Sequence, residues 1–171
     1  ETWRKEKEVK LSAQGRNLPA ELQDLLQRKA GLIVFSPDEM KILYTASQSG
    51  TLSTNLIKPI PGASTQKENR DIKIDHTYVY DIKEDRNFLI DSTDNWEKRT
   101  LFWLPNSRNL VLGDEGKISI MDYDGTNKQL VFSGSYTPPY VFPYLNGEKL
   151  LILTNLGADS QTPNLYSISI K

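Results

Sequence analysis

The feature that most constrains the fold is a strand-and-turn pattern that recurs along the chain. Residues 33–46 read "IVFSPDEMKILYTA", two runs of β-branched and aromatic residues separated by a short polar turn. The related stretches "LFWLPNSRNLVLGD" and "VFPYLNGEKLLILTN" place Pro105 and Leu145 at the position of Pro37. Runs of this kind, bounded by Pro, Asp, Asn and Gly, are typical of antiparallel strands joined by tight turns. The sequence therefore predicts an all-β protein built from repeated hairpins.

The spacing of these turns predicts the size of the repeated unit. Pro105 and Leu145 are 40 residues apart, whereas Pro37 and Pro105 are 68 apart because residues 47–71 form an insertion. A period of about 40 residues with four short strands per unit is typical of a β-propeller blade. The predicted strands form three sets: residues 32–35, 41–46, 77–82 and 87–90; residues 100–104, 109–112, 117–121 and 129–132; and residues 140–144, 149–154 and 164–170.

The predicted fold is thus three β-propeller blades of four antiparallel strands per chain, plus one short N-terminal helix. The helix is expected at residues 19–29, where Leu22, Leu25 and Leu26 share one face. The predicted organisation is a strand at 8–12 and the helix within residues 1–30, a first blade at 31–90 with the insertion at 47–71, a second blade at 91–132, and a third blade at 133–171 that lacks its outer strand.

Three blades are fewer than the four to eight that usually close a propeller. Because the strand predicted at residues 8–12 could complete the third blade of a second copy, we expect two chains to close a six-bladed ring. Two-fold pairing is also the commonest oligomer symmetry. The alternatives are another oligomer, a monomer with a different β arrangement, and an incomplete or engineered propeller fragment with no function of its own.

Several motifs resemble the TolB-type, WD-like propeller repeats of bacterial proteins. They are the turn in "FSPDEMKILYTA", the turn "DYDGTN" leading into "KQLVFSG", and Asp81 and Asp122 at the ends of third strands. The resemblance covers residues 31–171. It implies a non-catalytic, protein-binding scaffold outside the cytoplasm, in the periplasm or at the cell surface. The alternative that the resemblance leaves open is the propeller domain of a larger hydrolase of the prolyl-oligopeptidase type.

Composition and motifs argue against several classes of function. The 21 basic and 22 acidic residues give a net charge of −1, so no field attracts nucleic acid, and no apolar run approaches the roughly 20 residues that span a bilayer. Cysteine is absent and His76 is the only histidine, so a thiolate metal site and a catalytic triad lack their residues. We expect no enzyme activity, no cofactor and no metal.

"DYDGTN" is expected to be a hairpin turn, since Gly125 follows Asp124 directly and breaks the spacing of a calcium loop.

The longer connections are expected at one end of the blades, where they would form a contact surface for another protein. Loops held by a rigid scaffold commonly carry binding residues, and exposed Tyr and Trp supply large contact areas. The predicted contact residues are Trp96, Tyr136 and Tyr140, together with the insertion from Ile57 to Pro61. These side chains are expected to contribute to binding and not to stability. The alternative is that the aromatic residues pack between blades.

Overall fold

The structure, a computed structural model, describes residues 2–58, 60, 64–92, 99–155 and 162–170, without the side chains of residues 2–4, 7 and 8. The described chain is mostly β, with two helices and four antiparallel sheets. In chain order the elements are α1 (Thr2–Gly15), α2 (Ala20–Lys29), β1 (Ala30–Phe35), β2 (Lys41–Ala46), β3 (Gly50–Thr51), β4 (Asp71–Ile72), β5 (Thr77–Asp81), β6 (Arg86–Asp91), β7 (Thr100–Trp103), β8 (Asn109–Asp114), β9 (Lys117–Asp122), β10 (Gln129–Ser133), β11 (Val141–Tyr144), a 3₁₀ turn (Leu145–Gly147), β12 (Lys149–Thr154) and β13 (Asn164–Ser169).

Three of the sheets are antiparallel meanders whose strands keep their chain order, except that β3 and β4 lie between β2 and β5 in the sequence. Sheet 1 has the order β1-β2-β5-β6, sheet 2 the order β7-β8-β9-β10, and sheet 3 the order β11-β12-β13. The short strands β3 and β4 form a separate hairpin inside the insertion. All eleven predicted strands from residue 32 onward are confirmed, with ends that agree to within two residues. The local pattern of strand residues bounded by turn residues was therefore enough to predict where these strands lie.

The strand predicted at residues 8–12 is wrong, because these residues lie inside helix α1. Val9 and Leu11 alternate with polar residues over too short a stretch to specify a strand. The surrounding Lys, Glu, Gln and Ala residues favour helix, and Glu6 and Lys10 have the four-residue spacing that supports it. The strand that was expected to complete a partner's third blade is thus absent from this part of the chain. Helix α2 is confirmed.

The sheets stack face to face, with α2 at one end of the stack. On β2, Ile42 and Tyr44 pack towards α2, while Leu43 between them packs towards sheet 2. On β8, Leu110 faces sheet 1 and Val111 faces sheet 3. This alternation follows from the two-residue period of a strand. The layer order is therefore α2, sheet 1, sheet 2 and sheet 3.

The first turns of the three sheets lie against one another, and each has a positive φ angle at its third residue, 60° at Glu39, 58° at Ser107 and 88° at Gly147. The turn of sheet 3 differs from the other two, because Leu145 and Asn146 also have positive φ angles. The backbone N–H of Asp38 donates to Oγ of Ser107 at 3.0 Å. Glycine is favoured at Gly147, because residues with a side chain rarely adopt its φ angle and a Cβ atom there would lie only 3.1 Å from Cδ of Pro105. The turns keep the three sheets in register along the stack.

The insertion is tied to the outer edge of sheet 1 and to sheet 2. The backbone N–H of Asn69 donates to the carbonyl of Asn87 at 2.6 Å, and the Asn87 amide donates back to the Asn69 carbonyl at 2.6 Å. Arg86 donates to the carbonyl of Ser64. Oγ of Ser64 donates to Asp124, in the turn between β9 and β10, at 2.7 Å. The insertion therefore crosses from one sheet to the next.

The layer order predicts how two leucines of sheet 2 differ in their contribution to stability. Leu110 is 0% exposed between sheets 1 and 2, so Leu110→Ala is expected to lower the free energy of unfolding by about 2–5 kcal/mol. Leu130 on β10 is 57% exposed, and Leu130→Ala is expected to change it by less than about 0.5 kcal/mol. Urea unfolding followed by tryptophan fluorescence measures both. Equal losses would contradict the stacking of sheet 2 on sheet 1.

The contact between the insertion and sheet 2 predicts a dependence of stability on pH. Burial opposes ionisation of Asp124, but hydrogen bonds from Thr126 and Ser64 outweigh it and hold its pKa below the ordinary value of 3.8. The contribution of the ionised Asp124 carboxylate to the free energy of unfolding is therefore complete above its unfolded-state pKa. It is lost as the pH falls through the folded-state pKa. Asp124→Asn is expected to cost about 1 kcal/mol at neutral pH. In urea unfolding at a series of pH values, that difference should shrink below pH 3.8; a constant difference would contradict the assignment.

Candidate functional site

The predicted contact residues that the structure describes differ in their exposure. Trp96 and Pro61 fall outside the described residues. Ile57 is partly buried and packs against the core between α2 and sheet 1. Tyr136 is only 9% exposed, whereas Tyr140 is 46% exposed. Of the predicted residues that the structure describes, Tyr140 alone presents a largely exposed aromatic ring.

Tyr136 packs between sheets 2 and 3, which is the environment that the alternative for the aromatic residues describes. Its ring meets Phe132 edge-on, with centroids 6.4 Å apart, and it belongs to the core that contains Val141. Its buried hydroxyl has no hydrogen-bond partner among the described residues. Burial, and secondarily the negative charge of Asp114, raise the pKa of Tyr136. A side chain buried in this way contributes to the packing between sheets 2 and 3.

Tyr140 borders an exposed apolar surface on sheet 3, here called the open face. Along β11 and β12 alternate residues point to opposite sides, so Val141, Leu150 and Ile152 pack on sheet 2. The residues between them point away from sheet 2. The open face consists of Tyr140, Phe142 and Tyr144 before and on β11, Leu151 and Leu153 on β12, and Leu165 on β13.

The open face is continuous and nearly uncharged. Phe142 pairs with Leu151, and Leu153 pairs with Leu165, so the side chains adjoin across the three strands. The rings of Tyr140 and Phe142 lie 6.4 Å apart. The other outward positions are Lys149, Ser167 and Ser169. An apolar patch of this kind with a polar margin is typical of an interaction surface.

The neighbouring edge of sheet 3 is also available. Strand β13 pairs with β12 on one side, and no strand of the described chain pairs with its other side. An edge strand of this kind presents unpaired N–H and C=O groups to whatever approaches it. The open face and this edge together make sheet 3 the least covered of the three stacked sheets.

The open face was missed in the sequence, although one pattern indicates it. Residues 149–154, "KLLILT", are apolar at four successive positions. A continuous apolar run is typical of a strand that is buried on both faces, whereas one-sided burial needs only alternate apolar residues. In the structure one side of β12 is covered by sheet 2, and Leu151 and Leu153 on the other side are only partly buried.

The polar residues that were considered for chemistry have structural partners. Nδ1 of His76 lies 3.0 Å from the carbonyl oxygen of Ile74, and its ring stacks on Tyr78. "DYDGTN" forms a turn, in which Asp124 accepts hydrogen bonds from Thr126 and Gly125 has a φ angle of 83°. No group of three His, Asp or Glu side chains within the described ranges could hold a metal ion. Neither described helix has the length and apolar character needed to cross a membrane.

Neither a scan against protein-family models nor a search of curated proteins finds a match for the chain. The resemblance to TolB-type repeats therefore rests on the turn motifs and strand spacing alone. The open face and the stacking of the sheets are the observations from which a function can be proposed.

The environment of Tyr136 predicts opposite effects for two substitutions. Tyr136→Phe removes a buried hydroxyl that lacks a partner, so it is expected to leave the free energy of unfolding unchanged or raise it by about 1 kcal/mol. Tyr136→Ala removes the ring from the core and is expected to lower it by about 3–5 kcal/mol. Urea unfolding measures both variants. If Tyr136→Ala left the free energy of unfolding unchanged, the ring would not be a core residue, and the prediction that it contacts a partner would be favoured.

Proposed function

We propose that the protein is a non-enzymatic scaffold of propeller-type sheets and that its open face binds a β-sheet of a partner protein. The observation that carries this proposal is the difference between equivalent strands. The second strands of sheets 1 and 2, β2 and β8, are buried at four or more successive positions, because another layer packs on each side. The second strand of sheet 3, β12, has the same apolar run but is fully buried only at alternate positions.

The geometry of the stack supports a sheet as the binding partner. Sheet 2 packs on sheet 1 with one face and on sheet 3 with the other, and both contacts consist of aliphatic and aromatic side chains. The open face presents side chains of the same kind, with one cationic residue, Lys149, at the start of β12. Sheets pack face to face about 10 Å apart when alternate side chains from both interdigitate. A flat apolar sheet face therefore fits the open face better than a charged surface does.

The scaffold role agrees with the turn geometry and with the resemblance to TolB-type repeats. The turns that contain Asp38 and Asn106 have the same form in consecutive sheets, as a repeated blade requires. The resemblance implies binding and no catalysis. The binding site that we propose is the open face and not the predicted loop surface, and Tyr140 belongs to both.

The proposal predicts that open-face residues serve binding and not the stability of the chain. The double variant Phe142→Ser/Leu165→Ser changes side chains that are 52% and 62% exposed, so it is expected to lower the free energy of unfolding by less than about 1 kcal/mol. It is also expected to abolish most of the fluorescence of an environment-sensitive apolar dye bound to dilute protein. Leu130→Ser, at an equally exposed leucine on sheet 2, is the matched control and should retain the dye signal.

A comparison on the covered side of the same strand completes the test. Ile152→Ala, at a position that is 1% exposed, is expected to cost about 2–5 kcal/mol. If the double variant destabilises the chain as strongly as Ile152→Ala, its residues belong to the chain's own core. If the dye binds equally to the wild type and the double variant, the open face is not a binding surface. Either result would overturn the proposed function.

A further inference from the structure

The two ends of the stack differ, and this difference restricts what can cover the open face. At one end, Leu22, Leu25 and Leu26 of α2 bury the face of sheet 1 that contains Ile42 and Tyr44. At the other end, the described part of the chain leaves the open face of sheet 3 uncovered. A copy that placed its sheet 3 on sheet 1 of another copy would have to displace α2.

We infer that the occupant of the open face is the open face of a second copy, so that two chains form one stack of six sheets with an α2 helix at each end. This inference rests on the proposed function and names its partner. It replaces the predicted six-bladed ring, because ring closure needs an uncovered face on sheet 1 and a strand at residues 8–12. The structure has α2 on that face and a helix at those residues.

The residues of the open face are compatible with packing on the same face of a second copy. In a two-fold interface the same patch contributes from both copies, so it must contain no group that repels its own image. The rings of Phe142 and Tyr144 and the side chain of Leu151 are uncharged. Lys149, the one charged outward residue among the paired positions of sheet 3, lies at the first position of β12. A lysine at a strand end can extend its ammonium group into solvent while its stem stays in the contact.

The size of the open face is enough for a specific but concentration-dependent dimer. Tyr140, Phe142, Tyr144 and Leu165 are 46–62% exposed. With the partly buried leucines of β12 they leave roughly 500–600 Å² to be buried per copy, or about 1,000–1,200 Å² for two copies, near the lower limit of specific interfaces. Dissociation on dilution is therefore expected.

The outer surface of α2 explains why growth would stop at two copies. Its exposed side carries Gln27 and Arg28, and Arg28 forms an ion pair with Asp24. End units of stacked repeats commonly have a polar outer surface of this kind, since it prevents further stacking. In the proposed dimer the two open faces cover each other, and an α2 helix with this polar outer surface lies at each end.

Light scattering after size exclusion, across a dilution series of the full chain, tests the inference. A chain of 19.5 kDa is expected to approach 39 kDa at high concentration and to return to 19.5 kDa on dilution. Phe142→Ser/Leu165→Ser is expected to weaken the dimer by at least about tenfold, as the loss of interface anchors does. Leu130→Ser, which changes an exposed leucine outside the open face, should leave the dimer unchanged.

Cross-linking at single cysteines locates the interface, because the chain has no cysteine of its own. Leu151 lies in the middle strand of the open face, between Phe142 and Ser167. With a short bismaleimide, Leu151→Cys is expected to give a covalent dimer, since a central residue of a two-fold interface faces its own image about 10 Å away. Leu130→Cys should stay monomeric under the same conditions.

The outcomes separate this inference from the proposed function. A monomer at every concentration, with dye binding that Phe142→Ser/Leu165→Ser abolishes, would overturn the second copy as occupant and leave the open face as a site for a different protein. A dimer that the double variant does not weaken, or that Leu130→Cys cross-links instead, would place the interface elsewhere and also overturn the inference. If the chain is a monomer and the dye binds equally to the wild type and to Phe142→Ser/Leu165→Ser, both the proposed function and the second copy as occupant are overturned.

Discussion

Burial of a strand on both of its faces is the constraint on which this structure depends. Strands β2 and β8 are apolar at successive positions, so a single sheet cannot remove both of their faces from water. Sheet 1 needs α2 on one side and sheet 2 on the other, and sheet 2 needs sheets on both sides. The stack follows from this requirement, and the aligned turns at Asp38 and Ser107 keep successive layers in register.

The strands and turns could be predicted because their determinants are local. Runs of β-branched and aromatic residues mark the strands, and turn residues follow them, with positive φ angles as at Ser107 and Gly147. The first helix was not predicted, because Val9 and Leu11 alternate with polar residues and imitate a strand for one short stretch. Helix propensity acts over all 14 residues of α1 and outweighs a pattern of two apolar positions.

Which aromatic side chains are exposed could not be predicted, because burial of an aromatic side chain depends on residues far away in the sequence. Tyr136 and Tyr140 are four residues apart and flank the same pair of prolines. Tyr136 meets Phe132 and the inward side of sheet 3, whereas Tyr140 lies on the outward side beside Phe142. Nothing in the residue types themselves distinguishes these two environments. The apolar run of β12 did contain information on the outward side, but only comparison with the equivalent buried strands of the structure reveals it.

The polar cap formed by α2 has a consequence for the way in which copies of the chain can associate. An apolar face that the described residues leave uncovered, beside an edge strand that pairs with no further described strand, favours association, and head-to-tail contacts between different faces generate open-ended fibres. Helix α2 blocks that route, because it covers the face of sheet 1 on which a second sheet 3 would have to pack. In the proposed dimer the open faces of two copies pack on each other, and assembly ends at two copies. On that proposal the helix that completes the core of sheet 1 also limits assembly, so one packing interaction would account for both stability and finite size.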